Sequence, residues 1–345
     1  MSTSSSSSFA LLRLPFLPLI EVIQNLELKE LITLSFCSKK THSLTKRFSK
    51  KSSDLYLGLI GMSHIKIILM QLTDRTQSIK FNINRLPKLP YNSWSTIKLG
   101  MDIVKIQNSG NEFDVYYRDW KYGTETLVDY ICTFFDKKVD VVYTQKNTIW
   151  MMGLVEKYQK TPYHARVLRE EKYNVLSDNE LRDVLVRRNP RDLDIYHSPS
   201  NEFRIDNFTK TYDRLYIENG HWLTIANLLQ LDCKELQINK SKLSSREINQ
   251  YLKYWIEGGA PRLKVFRVQF DISQGDVFYI GNYVREIPGK QVYKLNGDRE
   301  WTFDGKLFGR EDGVWASIQY HRENNFIKFA VWPDFEGNNV DGLIG

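Results

Sequence analysis

Between residues 213 and 268 the hydrophobic pattern switches repeatedly between two periods, and this alternation restricts the possible folds more than any other feature of the chain. Segments 213–218 (DRLYIE), 234–239 (KELQIN) and 263–268 (LKVFRV) read as strands, with helical periodicity at 224–231 and 245–257 between them. The second helix is sharply bounded. Ser244 and Glu247 form a capping box, and Ile248, Tyr251, Leu252, Trp255 and Ile256 share one face. Gly258-Gly259 ends the helix and Pro261 blocks its continuation.

Leu215, Leu236 and Leu263 open the three strands at intervals of 21 and 27 residues, which falls in the leucine-rich-repeat range. The repeats are irregular and the consensus Asn is not cleanly placed. The expectation is a short, degenerate leucine-rich-repeat-like array with a parallel sheet, the alternative being a βαβ fragment of another α/β fold. Antiparallel patterns flank it. Ile79, Phe81 and Ile83 alternate, as do Ile97, Leu99, Met101 and Ile103, then Phe113, Val115 and Tyr117, with Asn108-Ser-Gly110-Asn as a hairpin connection. Near the C-terminus Asn296-Gly297, Asp304-Gly305 and Asp312-Gly313 punctuate strand-like runs at 291–295, 300–303, 306–310, 314–321 and 326–332. These two β segments are expected to share one antiparallel sheet or sandwich. Residues 124–135 read as a helix and 138–144 as a strand. The stretch 155–200, with nine Lys/Arg against eight Asp/Glu, reads as an exposed excursion around a helix at 178–188 capped by Ser177 and Glu180.

Residues 9–48 carry a different signal. Pro15 and Pro18 suit a first helical turn, where a missing N–H costs nothing. Leu19, Val22, Ile23 and Leu26 gather on one helical face, and Leu28, Leu31, Ile32 and Ser35 repeat the pattern. About forty residues are too few to bury such stripes alone, so the faces require a partner. Phe9, Leu12, Leu14, Pro15, Leu31, Leu34, Ser35, Cys37, Ser38, Lys39 and Lys40 together resemble an F-box of the nematode-expanded F-box family; Phe16 stands where that family often has an acid. Residues 215–268 resemble the F-box-associated region, type 2, of the same family. The resemblance is carried by Trp222-Leu-Thr224, Leu228-Leu229, Cys233, Leu236, Ser244, Ile248-Asn249, Leu252-Lys253, Trp255-Ile256, Gly258, Pro261, Arg262 and Leu263. Residues 303–305 and 309–318 resemble the hairpin stretch that closes such chains.

What the resemblance implies is a substrate-recognition subunit of a Skp–cullin–F-box ubiquitin ligase. The F-box would dock a Skp-type adaptor, and through it a cullin scaffold, while the C-terminal region presents an unknown protein client. Leu14, Pro15, Leu19, Val22, Ile23, Leu31, Ile32 and Leu34 are the candidate adaptor contacts. The alternative is a protein-interaction scaffold with a degenerate F-box.

Composition agrees with a binding role. The chain is 42% hydrophobic and 26% charged, as expected of a globular protein, and 13% aromatic. Six of the seven surplus positive charges lie at Lys39, Lys40, Lys46, Arg47, Lys50 and Lys51, which read as a solvated helix end, so nucleic acid is not the expected partner. Three cysteines (Cys37, Cys132, Cys233) form no C-x-x-C pair, and six histidines (His42, His64, His164, His197, His221, His321) form no metal spacing. No nucleophile elbow or P-loop is present. The expectations are therefore no catalysis, no cofactor and no bound metal. No window has the length of an apolar membrane span, and the N-terminal stretch lacks the basic start and cleavage site of a signal peptide, so a cytoplasmic or nuclear location is expected.

The anticipated class is thus α+β. A disordered Ser-rich tail (1–8) precedes an all-helical F-box module (9–52) and a β segment (63–120). An α/β leucine-rich-repeat-like region (121–270) and an antiparallel meander (271–345) follow.

Overall fold

The computed structural model describes residues 11–49, 54–85, 94–99, 102–161, 163–169, 175–271, 284–287, 289–297 and 299–340. The expected tail at 1–8 and Phe9 lie outside the described residues. The chain divides into two units, residues 1–142 with 157–161 and residues 143–156 with 162–345.

The first unit begins with a 3-10 turn at Leu11–Arg13 and three helices: α1 (Phe16–Asn25), α2 (Leu28–Cys37) and α3 (Lys39–Phe48). Pro15 is the N-cap of α1 and Pro18 lies in its first turn, so neither ring removes a needed donor. Glu27 and Glu30 make a capping box for α2. α3 is an addition to the two helices expected, and its signal is Ser38, whose hydroxyl accepts from the Thr41 amide while Thr41 returns the bond.

Six strands follow: β1 (Leu55–Gly61), β2 (Ile65–Gln71), β3 (Ser78–Arg85), β4 (Ser95–Leu99), β5 (Asp102–Ser109) and β6 (Glu112–Tyr117). They lie in the order β1-β2-β3-β6-β5-β4. All ladders are antiparallel except β3–β6, which is parallel. Leu59, Ile67, Phe81 and Phe113 fall in one register row and are all buried, as strand period two requires of a covered face. The 97–103 alternation does not form one strand. The chain reverses after Leu99, Leu99 pairs with Asp102, and Ile103 faces solvent. Helix α4 (Trp120–Phe135) begins four residues earlier than the pattern suggested because Asp119 caps it, accepting from the amides of Lys121 and Tyr122.

β7 (Val141–Thr144) and α5 (Trp150–Tyr158) run through the division between the units. The second unit continues with β8 (His164–Val167), α6 (Asp178–Arg182) extended by a π turn at Asp183–Arg187, β9 (Asp192–Ile195) and β10 (Thr211–Ile217). Then come α7 (Ile225–Gln230), β11 (Asp232–Ile238), α8 (Ser245–Ile256) and β12 (Val265–Gln269). Strands β8 to β12 are parallel and neighbour each other in sequence order. Ala165, Leu193, Leu215, Leu236 and Phe266 make one buried row, and Val167, Ile195, Ile217, Ile238 and Val268 the next.

Two expectations change here. Residues 155–200 are no exposed excursion, because β8 and β9 extend the parallel array and α6 buries Leu181 beside Val184 and Leu185. Leu263 does not open the third strand. It is buried just before β12, and Phe266 takes the row position that Leu215 and Leu236 hold.

The C-terminal strands are β13 (Val284–Glu286), β14 (Gln291–Leu295), β15 (Arg299–Phe303), β16 (Lys306–Gly309), β17 (Trp315–His321) and β18 (Phe326–Val331). β18 pairs antiparallel with β12, and the ladder continues through β17 and β16 to β13. β14 and β15 form a separate two-stranded sheet. Asn296-Gly297 and Asp312-Gly313 turn hairpins as expected. Asp304-Gly305 does not, since β15 and β16 belong to different sheets and the glycine instead passes tightly over the Ile287 carbonyl.

Candidate functional site

The helical module is held by its own periodic face. Leu19, Ile23 and Leu31 form a buried cluster, flanked by Leu11, Leu14, Leu26, Leu44 and Phe48. Ile32 is fully buried on α2. Leu14, Val22 and Leu34 are half-buried and Pro15 is exposed. So of the eight candidate contacts, the structure gathers Leu19, Ile23, Leu31 and Ile32 into the interior and leaves Pro15 outermost. The large apolar side chains of the module that face solvent, among the described residues, are Leu12, Phe16 (59% exposed) and Leu17 (71%). Phe16 sits edge-on to Phe48 with ring centroids 5.5 Å apart, which fixes its position on the surface. Sequence periodicity identified the stripe but not its cover, and the usable signal for Phe16 was its departure from the acid expected there.

The second face of α2 packs within the same unit. Ser35 Oγ and the Tyr130 hydroxyl are 2.7 Å apart, and His42 Nδ1 lies 3.1 Å from the same hydroxyl. Phe36 lies edge-on to Phe113 of β6 and against Tyr130. Burial pushes the Tyr130 hydroxyl up to about 12, and burial together with the Lys46 charge holds His42 below the usual imidazole range. This joint stays neutral at physiological pH. It fixes the module to α4 and the sheet, and it supplies part of the partner surface that forty isolated residues lack.

In the second unit, the face of the parallel strands opposite the Leu/Ile rows carries charge. His164, Asp192, Arg214 and Glu235 share one register row. Arg166, Asp194, Tyr216, Gln237, Arg267, Lys328 and Gln319 share the next, running from β8 to β17. Asp194 is fully buried and lies 3.0 Å from Arg166 Nη2, 3.2 Å from His164 Nε2 and 3.5 Å from Arg214 Nε. Burial alone pushes its carboxyl up, but the His164 hydrogen bond and the Arg214 and Arg166 charges prevail and hold it below the usual carboxylate range. Glu235 is likewise paired, with Arg299 Nη2 at 3.3 Å and Arg214 Nε at 3.7 Å. Arg166 also stacks on Tyr143 and Tyr196. None of these residues was singled out from the sequence, because charges within strands read as solvated positions until the register shows them side by side. Trp222 and Trp255, by contrast, are core residues.

The arrangement suits recognition: a polar, aromatic sheet surface with fixed charges. Among the described residues no group of three or more His, Cys, Asp or Glu could hold a metal ion, and no helix is long and apolar enough to cross a membrane.

Comparison with known proteins agrees with this division of the chain. Residues 11–53, which contain α1 to α3, match the F-box domain family. Residues 204–268, which contain β10, α7, β11, α8 and all but the last residue of β12, match the F-box associated family. Both are in general families of non-catalytic adaptors. The chain is 22% identical over 337 residues to the Skn-1 dependent zygotic transcript 15 protein of Caenorhabditis elegans, covering 92% of this chain and 95% of that protein. It is 26% identical over 110 residues to the F-box associated domain-containing protein sdz-33 of C. elegans, covering 32% of this chain and 35% of that protein. No solved structure matches. The chain is thus similar to F-box proteins in which an N-terminal F-box is followed by an F-box-associated domain.

Proposed function

We propose that this protein is the substrate-recognition subunit of a Skp–cullin–F-box ubiquitin ligase, non-catalytic in itself and working in the cytoplasm or nucleus. The observation that carries the reading is the solvent-facing apolar group at the start of α1, where Leu12, Phe16 and Leu17 lie exposed around Pro15 in an F-box. Large apolar side chains clustered on a surface favour a protein partner over water. Docking runs through Pro15, Phe16 and Leu17, with Leu14, Val22 and Leu34 at the margin, while Leu19, Ile23, Leu31 and Ile32 hold the helices in place beneath. The second unit presents the client on a leucine-rich-repeat-like array, a reading supported by five parallel strands in sequence order with apolar rows on one face and polar rows on the other.

The test is direct binding of the purified protein to a Skp-type adaptor, wild type against a Phe16→Glu/Leu17→Glu variant. Both side chains are exposed, so the variant keeps the fold. Loss of two such anchors is expected to weaken binding by at least about thirtyfold, on the order of 2 kcal/mol. A folded wild type that binds no adaptor leaves the alternative, an interaction scaffold whose F-box is degenerate.

A further inference from the structure

We propose that the serine tract ahead of α1 is a phosphorylation site, and that its phosphorylated form docks on Arg13, Lys46 and Arg47 and closes the adaptor patch. The proposal rests on the docking reading above, since it names how that same patch is regulated.

Residues 2–8 are six serines and one threonine, and no charged side chain precedes Arg13. The tract lies outside the described residues, and the chain enters the structure at Leu11. It enters beside the last turn of α3. Leu11 and Leu14, on either side of Arg13, pack against the same buried cluster as Leu44 and Phe48. The edge-on contact of Phe16 with Phe48 holds the start of α1 at the same place.

That place is cationic. The Arg47 guanidinium stands 5.1 Å from the Phe48 ring centroid, so Arg47 and Phe16 share one aromatic neighbour. Lys46 precedes it in the last turn of α3, and Arg13 ends the 3-10 turn that leads into α1. Arg13 and Arg47 are exposed and Lys46 is half-buried. Elsewhere in the first unit carboxylates close on the cations: Lys80 meets Glu112, Lys137 meets Asp140 and Lys157 meets Glu125. Among the described residues none of Arg13, Lys46 and Arg47 has such a partner. Of the acids in the helical module, Glu27 and Glu30 are taken up by the cap of α2, and Glu21 lies beyond the first turn of α1.

The helix ends favour an anion on balance. The last turn of α3 opposes one through its dipole, but Lys46 and Arg47 cover that end. The first turn of α1 holds no acid, and Pro15 gives its amides no side-chain hydrogen bond. The three cations carry the site and this helix end only adds to it. The tract can reach them. Ser8 lies three residues before Leu11 and Ser4 seven, a reach of roughly 10 to 25 Å from Leu11. That span takes in the Phe48 ring and Arg47 without movement of a helix.

A neutral serine tract makes no ion pair with these cations, and this makes the contact a switch. A serine/threonine kinase transfers the γ-phosphoryl group of ATP. The serine Oγ bonds to the γ-phosphorus, the bond to the bridging oxygen breaks, ADP leaves and the hydroxyl proton passes to the kinase base. Each phosphate adds a charge of about −1.5 to −2 and three acceptor oxygens, which suit the forks of Arg13 and Arg47. So short a tether supplies an effective concentration on the order of millimolar, and even weak pairing is populated. A segment held between Arg13 and Arg47 lies across Phe16, whose ring rests on the same phenyl as Arg47. The patch then no longer offers the adaptor a bare apolar surface.

The experiment uses the full chain with phosphoserine built in at positions 4, 6 and 8, beside the unmodified chain. Adaptor affinity is measured by calorimetry, and the phosphate titration is followed by phosphorus NMR. The phosphorylated chain should bind a Skp-type adaptor at least about tenfold more weakly than the unmodified chain. Its phosphates should titrate at least about half a pH unit below the value near 6 of an exposed phosphoserine, because the cations favour the dianion. Arg13→Gln/Arg47→Gln replaces two exposed side chains, so the fold is kept. In the phosphorylated chain this pair should restore the ordinary titration and bring adaptor affinity to within about twofold of the unmodified chain. Lys157→Gln, which removes a cation with its own carboxylate, should restore neither. An affinity unchanged by phosphorylation, an equal loss with both arginines replaced, or a titration that their replacement does not move overturns the proposal. An unmodified chain that binds no adaptor removes the ligase reading instead, and the titration then decides by itself whether the tract docks.

Discussion

Asp194 carries the heaviest electrostatic demand of any residue in the parallel sheet. Its carboxylate has no solvent exposure, and three basic side chains surround it. Removing one member of a buried charged cluster leaves the others uncompensated, so Asp194→Ala should cost about 3 kcal/mol in urea unfolding. The sign of its pH dependence follows from the lowered proton affinity in the fold. Its contribution is complete above the unfolded carboxyl value of about 3.9 and is lost as pH falls through the folded value. Wild type should therefore lose stability below about pH 4 more steeply than Asp194→Asn, read from unfolding midpoints across that window. Tyr130 is the comparable residue of the first unit. Tyr130→Phe removes the hydroxyl shared by Ser35 and His42 and should cost about 1 kcal/mol, the smaller figure because Ser35 Oγ keeps its 2.6 Å bond to the Ile32 carbonyl. At this scale the sequence is partly legible. The spacing of Leu19, Ile23 and Leu31 identified a face that must be covered. It could not say that the cover is the module's own third helix, which leaves Phe16 and Leu17 as the residues that meet solvent.

Elements whose ends are set by local chemistry were legible, and those set by distant neighbours were not. The boxes at Ser177/Glu180 and Ser244/Glu247 form as read, with Glu247 Oε2 accepting from the Ser244 amide at 2.8 Å. Ser244→Ala should destabilise the protein by about 1 kcal/mol, and hydrogen exchange should show the loss concentrated in the first turn of α8. Strand order is another matter. The parallel β3–β6 pair, the reversal after Leu99 and the place of Phe266 in the leucine row all depend on which strand lies alongside, and hydrophobic period contains no such information. Asp304-Gly305 shows the same limit in a turn motif. Gly305 has φ +75°, as a type I′ dipeptide would, yet an added Cβ would stand 2.2 Å from the Ile287 carbonyl oxygen. The glycine is there because the chain entering β16 meets the end of β13, its partner strand, too closely for a Cβ. Gly305→Ala should cost more than about 1 kcal/mol in thermal unfolding, beyond what an ordinary hairpin glycine in a solvent-open turn such as Gly297 would lose.

At the scale of the whole chain, the proposed adaptor patch belongs to the first unit and the proposed client array to the second. A receptor built this way acts by raising the effective concentration of a client near a charged conjugating enzyme, and this requires two binding reactions on one chain but no conformational signal between them. Coupling between sites requires that each ligand favour a different state of a shared element, and neither the edge-on Phe16–Phe48 pair nor the ion-paired Arg166–Asp194–Arg214 group requires a second arrangement to bind. The two reactions are therefore expected to be additive. Phe16→Glu/Leu17→Glu should abolish adaptor binding and leave amide exchange in β8 to β12 within about twofold of wild type. Hydrogen exchange of those strands in wild type, with and without adaptor bound, measures the coupling directly. Exchange that changed by more than about fivefold when the adaptor was present would mean that the units communicate, and that adaptor engagement regulates client capture rather than merely carrying it.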